Sequence, residues 1–283
     1  MRLLSIQSSV AYGHVGNSAA TFPLQRLGHE VWPVHTVVFS NHTGYGAWRG
    51  PLLSPDDVRD VVTGIEERGV LPTCDAVLSG YLGGPGICEV VVDAVARVKA
   101  ANPRATYTCD PVMGNATSGC FVDPAIPPII REQVVPHADV ITPNQFELGF
   151  LTGTEPDTLA STLAAADAAL AMGPSTVLVT SVLQPDRPDD TIEMLAVTGD
   201  GAWVVRTPRL PIKANGSGDL TAALFTAHLR TTGSPAEALT LTASSVVGVL
   251  QATIDSGERE LQIVLGQDAI ASPTREFEVE QVR

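Results

Sequence analysis

The stretch KANGSGDLTAALF, residues 213–225, sets two glycines and an aspartate directly ahead of an apolar run that suits a helix. Gly216 and Gly218 lack the Cβ atoms that would hold a ligand away from the main chain, so successive N–H groups of a turn here can face one anion. The helix that follows adds the positive end of its dipole. Asp219, in the first helical turn, would accept a proton from a hydroxyl attacking a phosphoryl group cradled by Gly216, Ser217 and Gly218. The stretch lacks the Lys-Ser/Thr of a P-loop and the third glycine of a dinucleotide fingerprint. It fits a plainer role equally well, a glycine turn followed by a helix-favouring acid. On these residues alone the two readings stand level.

Three further stretches carry chemical capacity. CDPVMGN (109–115) puts Asp110 at the end of a strand stopped by Pro111. TPNQFE (142–147) places Asn144 and Glu147 three apart at a strand-to-helix transition, hence on one helical face. Carboxylates and amides on neighbouring strand ends suit Mg²⁺, which takes few protein ligands; a capping box accounts for the same pair. FSNHTGYGAWRG (39–50) gathers aromatic side chains, His42 and three glycines, the composition of a lid over a flat ring, although a lone histidine such as His42 also serves structure. SGYLGGPG (79–86) adds Tyr81 on a second glycine-rich loop.

Composition narrows the partners. The net charge is −14 with only two lysines, Lys99 and Lys213, so electrostatics favour neither nucleic acid nor an anionic membrane. Phosphate would have to be held by arginine, metal or backbone N–H groups. The four cysteines (Cys74, Cys88, Cys109, Cys120) show no C-x-x-C and no metal spacing, and reduced thiols in a cytoplasm fit them. The opening MRLLSIQSSVAYGHVG is too short an apolar run for a signal peptide, and no stretch reads as a membrane span.

These residues need a scaffold. Strand-like runs at 2–7, 31–39, 75–83, 105–114, 138–147 and 175–183 alternate with amphipathic stretches at 17–27, 54–68, 87–100 and 157–172. That alternation predicts an α/β fold, a mostly parallel sheet with helices on both faces. TIEMLAVTGDGAWVVRTPRL (191–210) predicts an antiparallel hairpin about TGDG. Helices are expected at about 217–231, after Ser234-Pro235, and near 258–271, within one domain spanning 1–283. In such a sheet ligands bind beyond the carboxyl ends of the strands, where Ser8, Tyr81, Asp110, Asn144 and Glu147 fall.

Together the motifs resemble the pyridoxal kinases of the ribokinase-like superfamily. SIQSSVAYGHVGNSAATFPLQRLGHEVWPVHTVVFSNHTGYG, then CDAVLSGYLG, CDPVMG, TPNQFEL and GSGD, follow in family order, and the likeness covers about residues 1 to 265. It implies a ribokinase-like three-layer fold and transfer of the γ-phosphoryl group of ATP to the 5′-hydroxymethyl group of pyridoxal. It implies that Asp219 is the catalytic aspartate and that Gly216, Ser217 and Gly218 form the anion hole. Ser8, Phe39, His42, Thr43, Gly44, Tyr81 and Cys120 fall on the vitamin side. Asp110, Thr142, Asn144, Glu147, Thr180 and the segment Thr207, Pro208, Arg209, Leu210 fall on the ATP side, with Asp110 and Glu147 toward Mg²⁺. A homodimer is implied in the same way.

Two departures stand out. Thr180 occupies a position where a subset of the family has lysine, and NATSGC (115–120) replaces a segment where some relatives carry extra acids. Cys120, beside Ser118 and Gly119, is placed either to add its thiol to the aldehyde of pyridoxal or to serve as a lid residue with no covalent role. The nearest rival activity is a hydroxymethylpyrimidine kinase. A non-catalytic vitamin binder would keep the ring contacts and lose GSGD, which is intact here.

Overall fold

The computed structural model describes residues 1–283. A nine-stranded sheet organises the chain, in the order β11 (Val279–Gln281), β10 (Gly201–Pro208), β9 (Thr191–Thr198), β8 (Thr176–Val182), β7 (Val140–Ile141), β4 (Thr106–Cys109), β3 (Ala76–Ser79), β1 (Arg2–Tyr12) and β2 (Glu30–Asn41). From β2 to β8 every pairing is parallel; β9, β10 and β11 pair antiparallel. The 191–210 hairpin therefore extends the main sheet. A separate two-stranded ribbon, β5 (Gly114–Asn115) with β6 (Gly119–Cys120), rises from the loop after β4.

Period-two burial in the strands creates two faces. In β1, Leu4 and Ile6 enter a core with Val77, Val177 and Val179, while Leu3 enters another with Ala76 and Leu78. The first face is covered by α2 (Pro55–Glu66), α3 (Pro85–Ala101), α4 (Ile126–Ile129), α5 (Gln145–Thr152) and α6 (Leu159–Leu170). The second is covered by α1 (Asn17–Arg26), α7 (Ser217–Thr232), α8 (Pro235–Ser256) and α9 (Gln267–Ala271). The result is the expected three-layer arrangement. α8 is long and apolar enough to cross a membrane by length and composition, yet it packs on α7, β9 and β10 as a core helix. Pro33 sits in β2 because β2 is an edge strand.

The strands are shorter than the sequence suggests at β3, β4 and β7, because the apolar runs continue into glycine- and proline-containing loops that leave the sheet. The expected helix near 258–271 is corrected to Gln267–Ala271 alone. Leu261 and Ile263, two apart, are both buried against α7 and α8, whereas Val264 and Leu265 are exposed. That spacing is incompatible with one buried helical stripe. β11 was not foreseen from sequence. It seals the edge of β10, and Arg283 clamps it through a bidentate contact with Asp167 at 2.8 and 2.6 Å. At the other end of the chain the amino group of Met1 meets His29 Nδ1 at 3.2 Å.

Asn17 fastens the start of α1 to two strands: Nδ2 donates to the Ser5, Gln7 and Val34 carbonyls at 3.0–3.3 Å from a buried position. We expect Asn17→Ala to cost about 1–3 kcal/mol, since it strips partners from buried groups. An unchanged urea midpoint would show that these bonds add nothing to stability.

Candidate active site

The GSGD turn lies where the sequence analysis placed it, at the start of α7, and its two glycines play different parts. Gly216 is the N-cap, with φ 88° and ψ −6°, and a Cβ there would overlap the carbonyl oxygen of His14. Its glycine is required by backbone packing and by the left-handed φ together. Gly218 has a different reason: a Cβ built there meets nothing within 4 Å. The main chain is bare toward open space at that point, which is the geometry of a backbone that receives a ligand.

Asp219 follows, half-buried, in the first turn of α7. Loss of solvent contact pushes its carboxyl up to about 6, against the opposing pull of the Gly16 N–H and its own N–H. Gly16 belongs to the β1–α1 loop, and a Cβ on it would overlap the Ser8 carbonyl. Ser8 is itself buried at the irregularity where β1 slips register against β2. Ser8, Gly16 and Asp219 thus share one corner at the carboxyl ends of the strands.

A second cluster faces that corner. Asp110, at the exit of β4, accepts from Thr142 Oγ1 at 3.0 Å. Glu147 Oε1 accepts from the N–H groups of Met113 (2.8 Å) and Gly114 (3.2 Å), and Oε2 from Asn144 (3.0 Å). Asn144 returns the capping box by accepting from the Glu147 N–H at 2.9 Å and donates to the Gly114 carbonyl at 2.8 Å. Both alternatives at this pair therefore hold at once: Asn144 and Glu147 cap α5, and the same bonds fix a carboxylate beside Asp110. Burial raises Asp110 well above the usual carboxylate range, and the charges of Glu147 and Asp219 add to the rise. Burial likewise raises Glu147 to about 7, with Asp219 contributing and its three N–H donors opposing. The three carboxylates feel one another, yet no lysine or arginine nitrogen lies within 4 Å of any of them. A site of this kind fits a divalent cation, which supplies the missing positive charge to hard oxygen donors. The protein gathers no three-residue ligand set by itself.

The remaining expected residues divide by neighbourhood. Thr180 bridges to Asn144 as a parallel partner, and its N–H donates to the Pro143 carbonyl at 2.9 Å. Ser181 beside it takes φ 55°, a strained value for a non-glycine residue, where the β8–β9 ladder breaks. Thr207 is buried at the end of β10, and Pro208, Arg209 and Leu210 continue along the same carboxyl edge; the Arg209 N–H donates to the Asp190 carbonyl at 2.6 Å. On the other side, Thr43 and Gly44 are exposed in a short 3₁₀ turn that His42 caps, its Nδ1 accepting from the Gly44 N–H at 3.0 Å. Gly44 comes close to Asn215: a Cβ on it would stand 3.6 Å from Asn215 Nδ2. Phe39 is half-buried with its ring 6.0 Å from that of Trp48. Tyr81 is half-buried, its backbone carbonyl held by Thr36 Oγ1 at 2.8 Å. Cys120 is exposed on β6 of the ribbon, whereas the other three cysteines are buried.

Sequence reasoning missed His14 and Gly16, which meet the GSGD turn through backbone atoms. The signal available was GHVG itself, two glycines bracketing a strand-to-helix loop. It also missed Tyr45 and Glu260, whose contact spans 215 positions.

A carboxylate directly after a bare glycine backbone, at the carboxyl edge of a doubly covered sheet, sits in a fold shared with small-molecule kinases of the ribokinase-like class. The phosphomethylpyrimidine kinase family matches residues 69–263. A pyridoxal kinase of Leifsonia xyli subsp. xyli is 69% identical over 282 residues, covering 100% of both chains. One from Corynebacterium diphtheriae is 60% identical over 282 residues, again covering 100% of each. Among solved structures, a pyridoxal kinase from Leishmania donovani in complex with ADP and pyridoxamine superposes with a TM-score of 0.93 at 30% identity, covering 100% of this chain and 99% of that one. The chain belongs to the phosphomethylpyrimidine kinase family and, by its full-length relatives, to the pyridoxal kinases.

The glycine pair separates two effects. Gly216→Ala should destabilise the protein, because the new Cβ meets backbone. Gly218→Val should leave the Tm near that of the parent while lowering kcat sharply. Equal Tm losses in the two variants would mean that Gly218 is also a packing position. The carboxylates make a second prediction. A carboxyl whose folded pKa is raised stabilises the fold only below its unfolded value, about 4, and that contribution is lost as pH rises through the folded value. For Glu147 that window ends near 7, and Asp110 is raised in the same direction. Asp110→Asn should therefore raise the Tm of the ligand-free protein, more at about pH 8 than at about pH 5, and added Mg²⁺ should narrow the gap. A gap independent of pH would remove charge repulsion as its cause.

Proposed function

We propose that this protein transfers the γ-phosphoryl group of ATP to the 5′-hydroxymethyl oxygen of pyridoxal, releasing ADP and pyridoxal 5′-phosphate. The observation that carries the reading is Asp219, in the first turn of α7 directly after the open space above Gly218. Full-length likeness to pyridoxal kinases supports the choice of vitamin. The fold is used as a single kinase domain over 1–283, supported by one sheet whose strands come from Arg2 to Gln281.

Asp219 takes the proton of the attacking hydroxyl. A carboxyl near 6 is ionised at neutral pH and more basic than an ordinary aspartate, which suits a general base. The N–H groups of the Gly216–Gly218 turn, with the α7 dipole, receive the charge that develops on the transferring group. Ser8, Phe39, His42, Thr43, Gly44, Tyr81 and Cys120 hold the vitamin. Thr142, Asn144, Thr180 and Thr207–Leu210 hold the nucleotide. Mg²⁺, when bound, would neutralise phosphate charge; Asp110 and Glu147 would hold it, Glu147 through the Oε2 lone pair that its three N–H donors leave free. Catalysis here is positioning and electrostatics in the main.

The protein acts as a soluble cytoplasmic homodimer in this reading. Four unpaired cysteines support the compartment, and exposed Val38, Trp48 and Leu52 around the edge strand β2 support the pairing. A hydroxymethylpyrimidine is the second acceptor, a flat heterocycle of the pyrimidine class that the matching family's description, phosphomethylpyrimidine kinase, names.

ADP release measured with pyridoxal, pyridoxine, pyridoxamine and hydroxymethylpyrimidine tests the reading directly, and pyridoxal should give the highest kcat/KM. Asp219→Ala should lower kcat about 10²–10⁴-fold in a folded protein. Near-normal turnover in that variant, or turnover with hydroxymethylpyrimidine alone, would overturn the assignment.

A further inference from the structure

Glu260 is 6% exposed and no lysine or arginine side-chain nitrogen lies within 4 Å of its carboxylate. A buried carboxylate without a direct ion pair is costly unless its oxygens are fully employed. Here each oxygen holds a different segment. Oε1 accepts from Tyr45 Oη at 2.6 Å, and Oε2 accepts from the His14 N–H at 3.3 Å. The wrapping is close: Gly13 has φ 92°, and a Cβ on it would overlap Glu260 Oε2. Arg259 reinforces the first contact, with its guanidinium carbon 3.7 Å from the Tyr45 ring centre and Nη2 donating to the Gly44 carbonyl at 2.9 Å. Tyr12 adds an edge-on contact to Tyr45, with ring centres 6.1 Å apart.

The two segments lead to opposite halves of the site. Tyr45 belongs to the glycine-rich 42–48 loop, whose Gly44 comes close to Asn215. His14 lies in the 13–16 loop, whose carbonyl at His14 abuts Gly216 in the turn that leads into Asp219. We infer that Glu260 is a positioning residue that ties the vitamin-side 42–48 loop to the backbone supporting the anion hole and Asp219, so that ordering one orders the other. Glu260 acts in this role through Tyr45 and the His14 N–H. The inference rests on the kinase reading given above.

Two variants separate the two oxygens. Tyr45→Phe keeps the ring and its stack with Arg259 and deletes only the Oε1 bond. It should raise the pyridoxal KM severalfold with kcat within about twofold of the parent. Glu260→Ala releases both segments and should raise the pyridoxal KM and also lower kcat by about tenfold or more, in line with the cost of slight misplacement. Glu260→Gln, which keeps an acceptor of the same shape, should recover most of the kcat. The double variant should show no further rise in KM beyond Glu260→Ala, because both changes break one contact.

Hydrogen exchange gives a readout independent of turnover. Amides of residues 42–48 alone should lose protection in Tyr45→Phe, whereas residues 13–16 and 42–48 should lose it together in Glu260→Ala. A folded Glu260→Ala protein with unchanged exchange at 13–16, or with kcat equal to that of the parent, overturns the inference. Absence of pyridoxal-dependent ADP release by the parent would instead sink the kinase reading, and the exchange result would still decide whether Glu260 ties the loops.

Discussion

Three carboxylates with no cation beside them set the terms for the rest of this structure. Asp110, Glu147 and Asp219 repel one another in a poorly hydrated corner, and the chain answers with fixed dipoles. Thr142 serves Asp110; the N–H groups of Met113, Gly114 and Asn144 serve Glu147; the Gly16 N–H, turned toward Asp219, lowers the cost of its charge. Those donors come from the exits of β1, β4 and β7 and from the start of α5. Only a parallel sheet, which delivers all its carboxyl ends to one edge, can supply them together. The repulsion that remains is a standing demand for positive charge, and at a net charge of −14 the protein surface does nothing to meet it.

The glycines show how backbone alone does much of this work. Gly16 and Gly216 let three segments approach so closely that Ser8, His14 and the α7 terminus fit against one another without side chains between them. Gly218 uses the same property in the opposite direction, leaving space. The N-terminal loop, the α7 turn and the Arg259–Glu260 segment lie in contact although they span most of the sequence, which ties substrate handling to the catalytic end of one helix.

Local chemistry was legible where one stretch carried both its turn and its function. GSGD declared a helix start and an acid; TPNQFE declared a cap and a carboxylate, and both descriptions apply to the same atoms. The alternation of strands and helices gave the layers, because hydrophobic period follows from which side of an element faces the core. What escaped depends on distant partners. Leu261 and Ile263 abandon the helix expected there because both side chains, two apart, pack into one apolar cluster with α7 and α8. β11 exists only because β10 presents an open edge. Glu260 sits in SGERELQIV, which has no motif, and its meaning comes from Tyr45 and His14, more than 200 positions away.

The clamped chain ends have a practical consequence. β1 starts, and β11 finishes beside the start of β10, at the amino edge of the sheet, across the molecule from the carboxyl corner where Asp219 lies. Met1 and Arg283 are each held there by side-chain contacts. A fused partner, an affinity tag or a solid support joined at either residue would face away from the reacting groups. The enzyme can thus be tethered, or linked end to end with a protein that consumes its phosphorylated product, while its catalytic edge stays open to diffusing small molecules.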